Sequence, residues 1–536
     1  MPEKQRKTEY LYTALAALVI LAYLAVFTVI DFRGFARLAT SDMYEDTLAA
    51  RLMWEQKTLF PGNYLFGNQF YVAATPVLAA LFYGLTGSMN RAMAWATLCM
   101  SLLLLGSMAW MLRPFVKRPS RRAAVLLVFL ASLFGPYTVM REDGQQLFFA
   151  MCSFYACYLL CFFVVLGDYA RAGDGGRRLP ALAAALLLCF CMGMQSLRQT
   201  CVLILPLLCL EAPGALRRLR RGEALLPPGG RLRRALLYAA ANAAGLVFIR
   251  LLPVRRHEIF SGASVFRGAS VAEKLRELQT ALVTVTGYDY TREGEYRLFF
   301  VLMFLATTGL VLAAAWMLLR GRYRRGGAAC LWLTAALGCL AAVAATFVTA
   351  VHLRPIYLFL WYVLPALSLA LIGERAGPRL MAVLTAGLCV LAAANLFFSY
   401  RDDLRYALSA EATPAQQAAE WAVENGFELV YGNQSDCAPL VAVWSDGALT
   451  AGCWRDDYPF KVSPHINIRD VYRLDDAARA VFVLLAPEVP LLEAEARGSG
   501  DEISFRARYG PYYLYTSAGQ RLWPITETID YVPEYN

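Results

Sequence analysis

The sequence predicts an α-helical polytopic membrane protein of about eleven transmembrane helices, carrying a C-terminal extracytoplasmic α/β domain. Three observations predict it. Of 536 residues, 58% are hydrophobic and 17% charged, with a mean hydropathy of +0.44, outside the usual range of soluble domains. Apolar runs able to form transmembrane helices recur from about residue 10 to residue 400, and beyond that the composition turns polar and stays so. The basic residues behind the net charge of +10 gather in short loops between apolar runs. That is the positive-inside pattern of a membrane protein rather than the mark of a nucleic-acid partner. The chain therefore reads as a membrane domain, 1–400, followed by a soluble module, 401–536, of ordinary single-domain size.

Each element follows from these patterns. "MPEKQRK" precedes the apolar "TALAALVILAYLAVFTVI" with no small-residue cleavage site after it, so the first helix is expected to be retained and the N-terminus cytoplasmic. The basic loops "RPFVKRPSRR" (113–122), "DYARAGDGGRR" (168–178), "RRLRRG…RLRR" (217–234), "RGRYRR" (320–325) and "GERAGPR" (373–379) are then also cytoplasmic. Threading the chain through them gives helices near 10–30, 92–112, 123–139, 147–166, 180–195, 200–212, 235–252, 298–319, 328–350, 356–372 and 380–399, with the C-terminus outside. "YVAATPVLAALFYGLTGSM" (71–89) is apolar enough to span, but a crossing there would place the 113–122 loop outside. With Pro76, Gly84 and Gly87 it reads as an interfacial or re-entrant hairpin. "SVAEKLRELQTALVTV" (270–285) has helical periodicity and suits the membrane surface.

In the soluble module, "TPAQQAAEWAVENG" (413–426) predicts a helix ending at Gly426, and "FELVYG", "APLVAVW" and "AVFVLLAP" read as strands. Eleven of the thirteen cysteines lie in or beside apolar runs without a CxxC spacing, as small buried hydrophobes do. Cys437 and Cys453 are the two in the polar module, where a pair suits an oxidising compartment. The three histidines, His257, His352 and His465, form no zinc motif.

The chemistry gathers on the expected outer side. Asp42, Glu45 and Asp46 stand in the first loop, and Glu142 and Asp143 in "MREDGQQ" (140–146). Arg141, Arg198 and Arg354 come from three helix ends. A carboxylate can take a proton from an attacking hydroxyl or hold a divalent cation. Arginine presents a planar fork of donors that matches a phosphate. Asp42 and Asp46 are four apart and share a helix face, which makes Asp42 the candidate base and Asp46 its nearest competitor, whereas Glu45 reads as a solvated bystander. Snorkelling or anchoring are the plainer uses of Arg198 and Arg354.

"SDMYEDTLAARLMWEQKTLFPGNYLFGNQFYVAATPVLAALFYGLTG" resembles the first outer loop of the GT-C glycosyltransferases, which include protein O-mannosyltransferases and the aminoarabinose transferases of lipid A. Asp42 matches the first acid of that pattern, and "GPYTVMRED" the approach to the second, at Glu142 or Asp143. The resemblance implies an inverting transfer from a polyprenyl-phosphate-sugar donor with the first-loop acid as general base. In some members it also implies a divalent cation, magnesium or manganese, held here by Asp42, Glu142 and Asp143. "RPIYLFLWYVLP" is similar to a late-helix segment of such enzymes in which arginine approaches the donor phosphate, which implies that role for Arg354 with Tyr357.

The expected function is thus a glycosyltransferase at the outer face of the cytoplasmic membrane, with the acceptor open among protein, glycolipid and wall polymer. A transporter or flippase for a lipid-linked saccharide would carry ionisable residues near helix centres, whereas the charges here cluster at helix ends. A polymerase or ligase would rest on arginines more than on first-loop acids. A scaffold would leave the outer acids without a use.

Overall fold

The computed structural model describes residues 3–64, 66, 70–133, 155–172, 179–226, 230–252, 254, 270–286, 297–321, 327–349, 351–455, 458–462 and 480–518. The elements in chain order begin with α1 (Glu3–Leu38), α2 (Ser41–Glu55), α3 (Thr75–Thr86), α4 (Met89–Leu112), α5 (Pro119–Leu133), α6 (Ala156–Arg171) and α7 (Leu179–Gln195). A π-helical turn (Thr200–Ile204) leads into α8 (Leu205–Arg220), followed by α9 (Arg231–Leu251), α10 (Val271–Thr286), α11 (Arg297–Leu319) and α12 (Ala328–Phe347). A 3-10 stretch (Pro355–Tyr362) then opens α13 (Leu364–Gly373), and α14 (Pro378–Ala407) completes the apolar series. Among the described residues, eight helical stretches are long and apolar enough to cross a bilayer. Helices α5, α6 and α7, of 15, 16 and 17 residues, fall on three more of the predicted spans. The protein is a multi-pass membrane protein.

Residues 71–89 depart from the expected hairpin. Pro76 sits in the first turn and Gly87, at φ 65°, ends the helix in the left-handed region, so both are the boundaries of one helix, α3. Its 12 residues reach only about 18 Å, against about 30 Å of hydrocarbon. Gly84 is a contact point rather than a bend: a Cβ there would meet the Trp54 ring at 2.2 Å, so α3 lies directly on α2.

The chain forms two compact units. The first comprises Met1–Phe27, Leu98–Leu251 and Phe260–Asp402, and holds most of the apolar helices. Polar side chains lock helices inside it. Asn242 on α9 donates to the Cys189 carbonyl at 3.0 Å and lies 2.5 Å from the Thr200 hydroxyl, and Asn395 on α14 donates to the Tyr23 hydroxyl at 2.8 Å. Such bonds satisfy groups that lipid cannot.

The second unit comprises Thr28–Thr97, Leu252–Ile259 and Asp403–Asn536, and so joins the first loop to the C-terminal module. The module contains α15 (Pro414–Glu424), β1 (Leu429–Asn433), α16 (Ala438–Trp444), β2 (Thr450–Arg455), β3 (Tyr458–Val462), β4 (Ala480–Leu484), α17 (Val489–Ser499), β5 (Ile503–Tyr509) and β6 (Tyr512–Ser517). The strands form one mixed sheet in the order β3-β2-β1-β4-β6-β5, with β1 parallel to both β2 and β4. "APLVAVW" is a helix, not a strand: Pro439 occupies its first turn, and the run serves as the crossover from β1 to the parallel β2. Cys437 and Cys453 are both buried and are not joined in a disulfide, so the expected pair is not formed. Tyr431, Trp454, Phe482 and Leu492 centre the core of the module.

Candidate active site

The acids of the first loop sit on α2, whose start is set by Thr40, an N-cap whose hydroxyl accepts from the Met43 N–H at 3.4 Å. Asp42 falls in the first turn, where the helix dipole favours negative charge. At helical spacing Asp42, Glu45 and Asp46 lie within an arc of about 100°. Tyr44, Arg51 and Glu55 occupy about 40° of the opposite side. That opposite side is docked on the module: the Tyr44 hydroxyl accepts from the Ala451 N–H at 2.8 Å, and Arg51 donates to the Gly447 carbonyl at 2.9 Å. Asn90 reinforces the dock through Asp446 at 2.9 Å and the Val443 carbonyl at 2.9 Å.

The three acids differ in environment. Asp42 is half-buried, whereas Glu45 and Asp46 are 7% and 1% exposed. Tyr64 donates to Glu45 Oε1 at 3.1 Å, and Tyr71 also hydrogen-bonds Glu45. Phe66 packs edge-on against both tyrosines, and Phe60 packs edge-on against Phe66 and Phe70 behind it. Burial in this aromatic wall, reinforced by the charge of Asp42, pushes the Glu45 carboxyl up to about 8, against the lowering effect of the two tyrosines. Burial, together with the charges of Glu45 and Asp46, raises Tyr64 and Tyr71 as well, so both remain hydrogen-bond donors. At neutral pH Glu45 is therefore neutral. The bystander expected from sequence is a buried, hydrogen-bonded member of the acid face.

A second constellation lies in the first unit. Arg198 stands in the turn between α7 and the π-helical turn, a distortion often found at functional positions. Its guanidinium carbon lies 4.6 Å from the Tyr155 ring centre and 5.3 Å from those of Tyr158 and Tyr357, close enough for cation–π attraction. Arg198 Nη1 is sealed from solvent and has no hydrogen-bond partner among the described residues. The Tyr158 hydroxyl is held 2.6 Å from the Ser196 hydroxyl. Tyr357 belongs to the 3-10 stretch, which Arg354 caps; the Tyr357 N–H bonds the Arg354 carbonyl at 3.0 Å. Tyr155 feels the charges of both Arg198 and Arg354. The arrangement sets one guanidinium, that of Arg198, among three tyrosine rings, which is chemistry for an oxyanion.

Of the residues singled out from sequence, the structure brings Asp42 together with Asp46 on one helix face and Arg198 together with Tyr357, while Arg354 acts on the same Tyr155 through its charge. Arg141, Glu142 and Asp143 lie outside the described residues. Among the described residues no group of three or more His, Cys, Asp or Glu side chains is placed to hold a metal ion. The described part of the expected cation set is Asp42 alone. Sequence reasoning missed Tyr64, Tyr71, Tyr155 and Tyr158. The spacing of Tyr155 and Tyr158 along one helix face was a signal for the second pair, whereas nothing local ties Tyr64 to Glu45.

No family model and no curated protein matches the chain. Solved structures do. The structure of ArnT from Cupriavidus metallidurans bound to undecaprenyl phosphate is similar with a TM-score of 0.56 at 14% identity, covering 95% of this chain and 99% of that one. ArnT from the same organism in the apo state gives 0.52 at 13% identity, with the same coverage. The likeness runs through both the membrane body and the C-terminal module, and this chain has the same fold as ArnT.

Proposed function

We propose that this protein is a glycosyltransferase that moves a sugar from a polyprenyl-phosphate-linked donor to an acceptor hydroxyl at the outer face of the cytoplasmic membrane, with inversion. Asp42 is the general base, and Arg198, Arg354 and Tyr357 hold the donor phosphate. The observation that carries the reading is Arg198, whose sealed Nη1 donor has no partner among the described residues and whose guanidinium is framed by three tyrosines. A donor fixed in that way offers a hydrogen bond to an incoming oxyanion without reorganisation. The shared fold with ArnT, whose solved structure holds undecaprenyl phosphate, supports the same class of donor.

In this mechanism Asp42 takes the acceptor hydroxyl proton as the acceptor oxygen bonds to the anomeric carbon. The bond from that carbon to the phosphate oxygen breaks on the opposite face, so the configuration inverts. The electron pair leaves with the phosphate, and the growing charge is met by Arg198 and Arg354. Glu45 already carries a proton at neutral pH, so it does not compete for this one.

The test uses the full chain in lipid nanodiscs, with undecaprenyl phosphate and undecaprenol as probes. The phosphate should bind at least about tenfold tighter than the alcohol, the worth of a charge-assisted hydrogen bond, and Arg198→Ala or Arg354→Ala should erase the difference. Equal binding of the two lipids contradicts the reading. A divalent cation held by Asp42 with Glu142 and Asp143 is a separate proposal, and no step above depends on it. Its test is chelation: transfer should be lost in EDTA and restored by magnesium or manganese.

A further inference from the structure

Helix α10 opens with a reciprocal cap, the Ser270 N–H donating to Glu273 at 2.7 Å and the Glu273 N–H to the Ser270 hydroxyl at 3.2 Å. That cap fixes the register of the next turn. There Lys274 is 3% exposed and donates to Glu277 Oε2 at 3.1 Å and to the Val351 carbonyl at 2.7 Å. Glu277 in turn accepts from the Leu353 N–H at 3.0 Å, and its other oxygen lies 2.6 Å from His352 Nδ1. Three consecutive residues, 351–353, are thus each held by one ion pair, its lysine buried and its glutamate partly exposed.

A helix that needed only to pack would present apolar side chains on this face, as it does one and two turns later at Ala281 and Val285. Burying the Lys274 ammonium costs solvation that its pairing with Glu277 does little more than offset, but the pair fixes position through directed bonds. What it fixes is the strap entering Arg354. On the other side Pro355 restricts the same residue, whose backbone is extended at φ −84°, ψ 145°. The Arg354 backbone is therefore set from both ends, while its side chain is exposed.

We propose that Lys274 and Glu277 are positioning residues: through the 351–353 strap they hold Arg354 where its guanidinium meets the donor phosphate. This rests on the phosphate-binding role given to Arg354 above. Burial works against the Glu277 charge, but the Leu353 N–H, His352 and Lys274 outweigh it and hold the carboxyl down at about 2, so Glu277 stays charged across the physiological range.

The experiment compares wild type, Glu277→Gln, Glu277→Asp, Lys274→Met and Arg354→Ala as full chains in nanodiscs. It reads undecaprenyl phosphate binding, donor KM and kcat in transfer from a polyprenyl-phosphate sugar, and amide exchange of residues 351–357. Glu277→Gln and Lys274→Met should weaken lipid-phosphate binding and raise donor KM about fivefold to twentyfold, leave kcat at saturating donor within twofold, and speed exchange in the strap. Glu277→Asp, which keeps the charge, should recover part of the affinity. If Arg354→Ala loses binding while both latch variants bind within twofold of wild type, the positioning role is overturned and the donor reading stands. If Arg354→Ala itself binds as wild type, the donor reading fails first. Should Glu277→Gln not fold, Lys274→Met and Glu277→Asp decide the matter by the same readouts, and an equal fall in kcat without a KM change overturns the proposal.

Discussion

Burial keeps a proton on Glu45 up to about pH 8, against an ordinary value of 4.5, and that proton has a thermodynamic signature. Between those two values the folded chain binds a proton that the unfolded chain has released. The contribution of Glu45 to stability is therefore greatest below about pH 4.5 and falls as pH rises toward 8, with a slope approaching about 1.4 kcal/mol per pH unit at most. Glu45→Gln, a neutral isostere, should flatten that stretch of a thermal-unfolding profile measured against pH. The same profile in wild type and variant would show that Glu45 is ionised at neutral pH. None of this was legible from "SDMYED", because Tyr64 and Tyr71, which hydrogen-bond Glu45, lie 19 and 26 residues away and meet it only in the folded chain. By contrast, Asp42 and Asp46 were legible as a face from spacing alone.

At the scale of the element, α2 has two faces with two tasks, and the docked one has a measurable worth. The Tyr44 hydroxyl is the partner of the Ala451 N–H at a fully buried position. Tyr44→Phe leaves that donor unsatisfied and should cost about 1–3 kcal/mol, seen as a lower unfolding temperature with the acid residues untouched. An unchanged unfolding temperature would mean the dock contributes little. The sequence located the amphipathic α10 and α15 closely, since both carry long helical periodicity and capping residues. It misjudged "APLVAVW", a short apolar run for which periodicity cannot separate strand from buried helix. The 71–89 stretch failed differently: its proline and glycine were read as a bend when they were a start and a stop.

For the whole molecule, the membrane spans were visible because lipid imposes length and apolarity on every one of them. The α/β class of the module was visible for a similar reason, in its alternating helix and strand runs. The grouping was not: residues 28–97 belong to one compact unit with residues 403–536, through bonds such as Arg37 to the Ser409 carbonyl at 2.9 Å that no local pattern announces. This pairing gives the module a physical role, since α2 is held by it from the side opposite its acids. The central claim remains chemical: Asp42 takes the acceptor proton. The most direct measurement is transfer from a polyprenyl-phosphate sugar by the full chain carrying Asp42→Asn, with undecaprenyl phosphate binding measured in parallel. The account predicts binding within twofold of wild type and a turnover lower by about 100-fold to 10,000-fold, the usual worth of a general base. Full turnover by Asp42→Asn would contradict it.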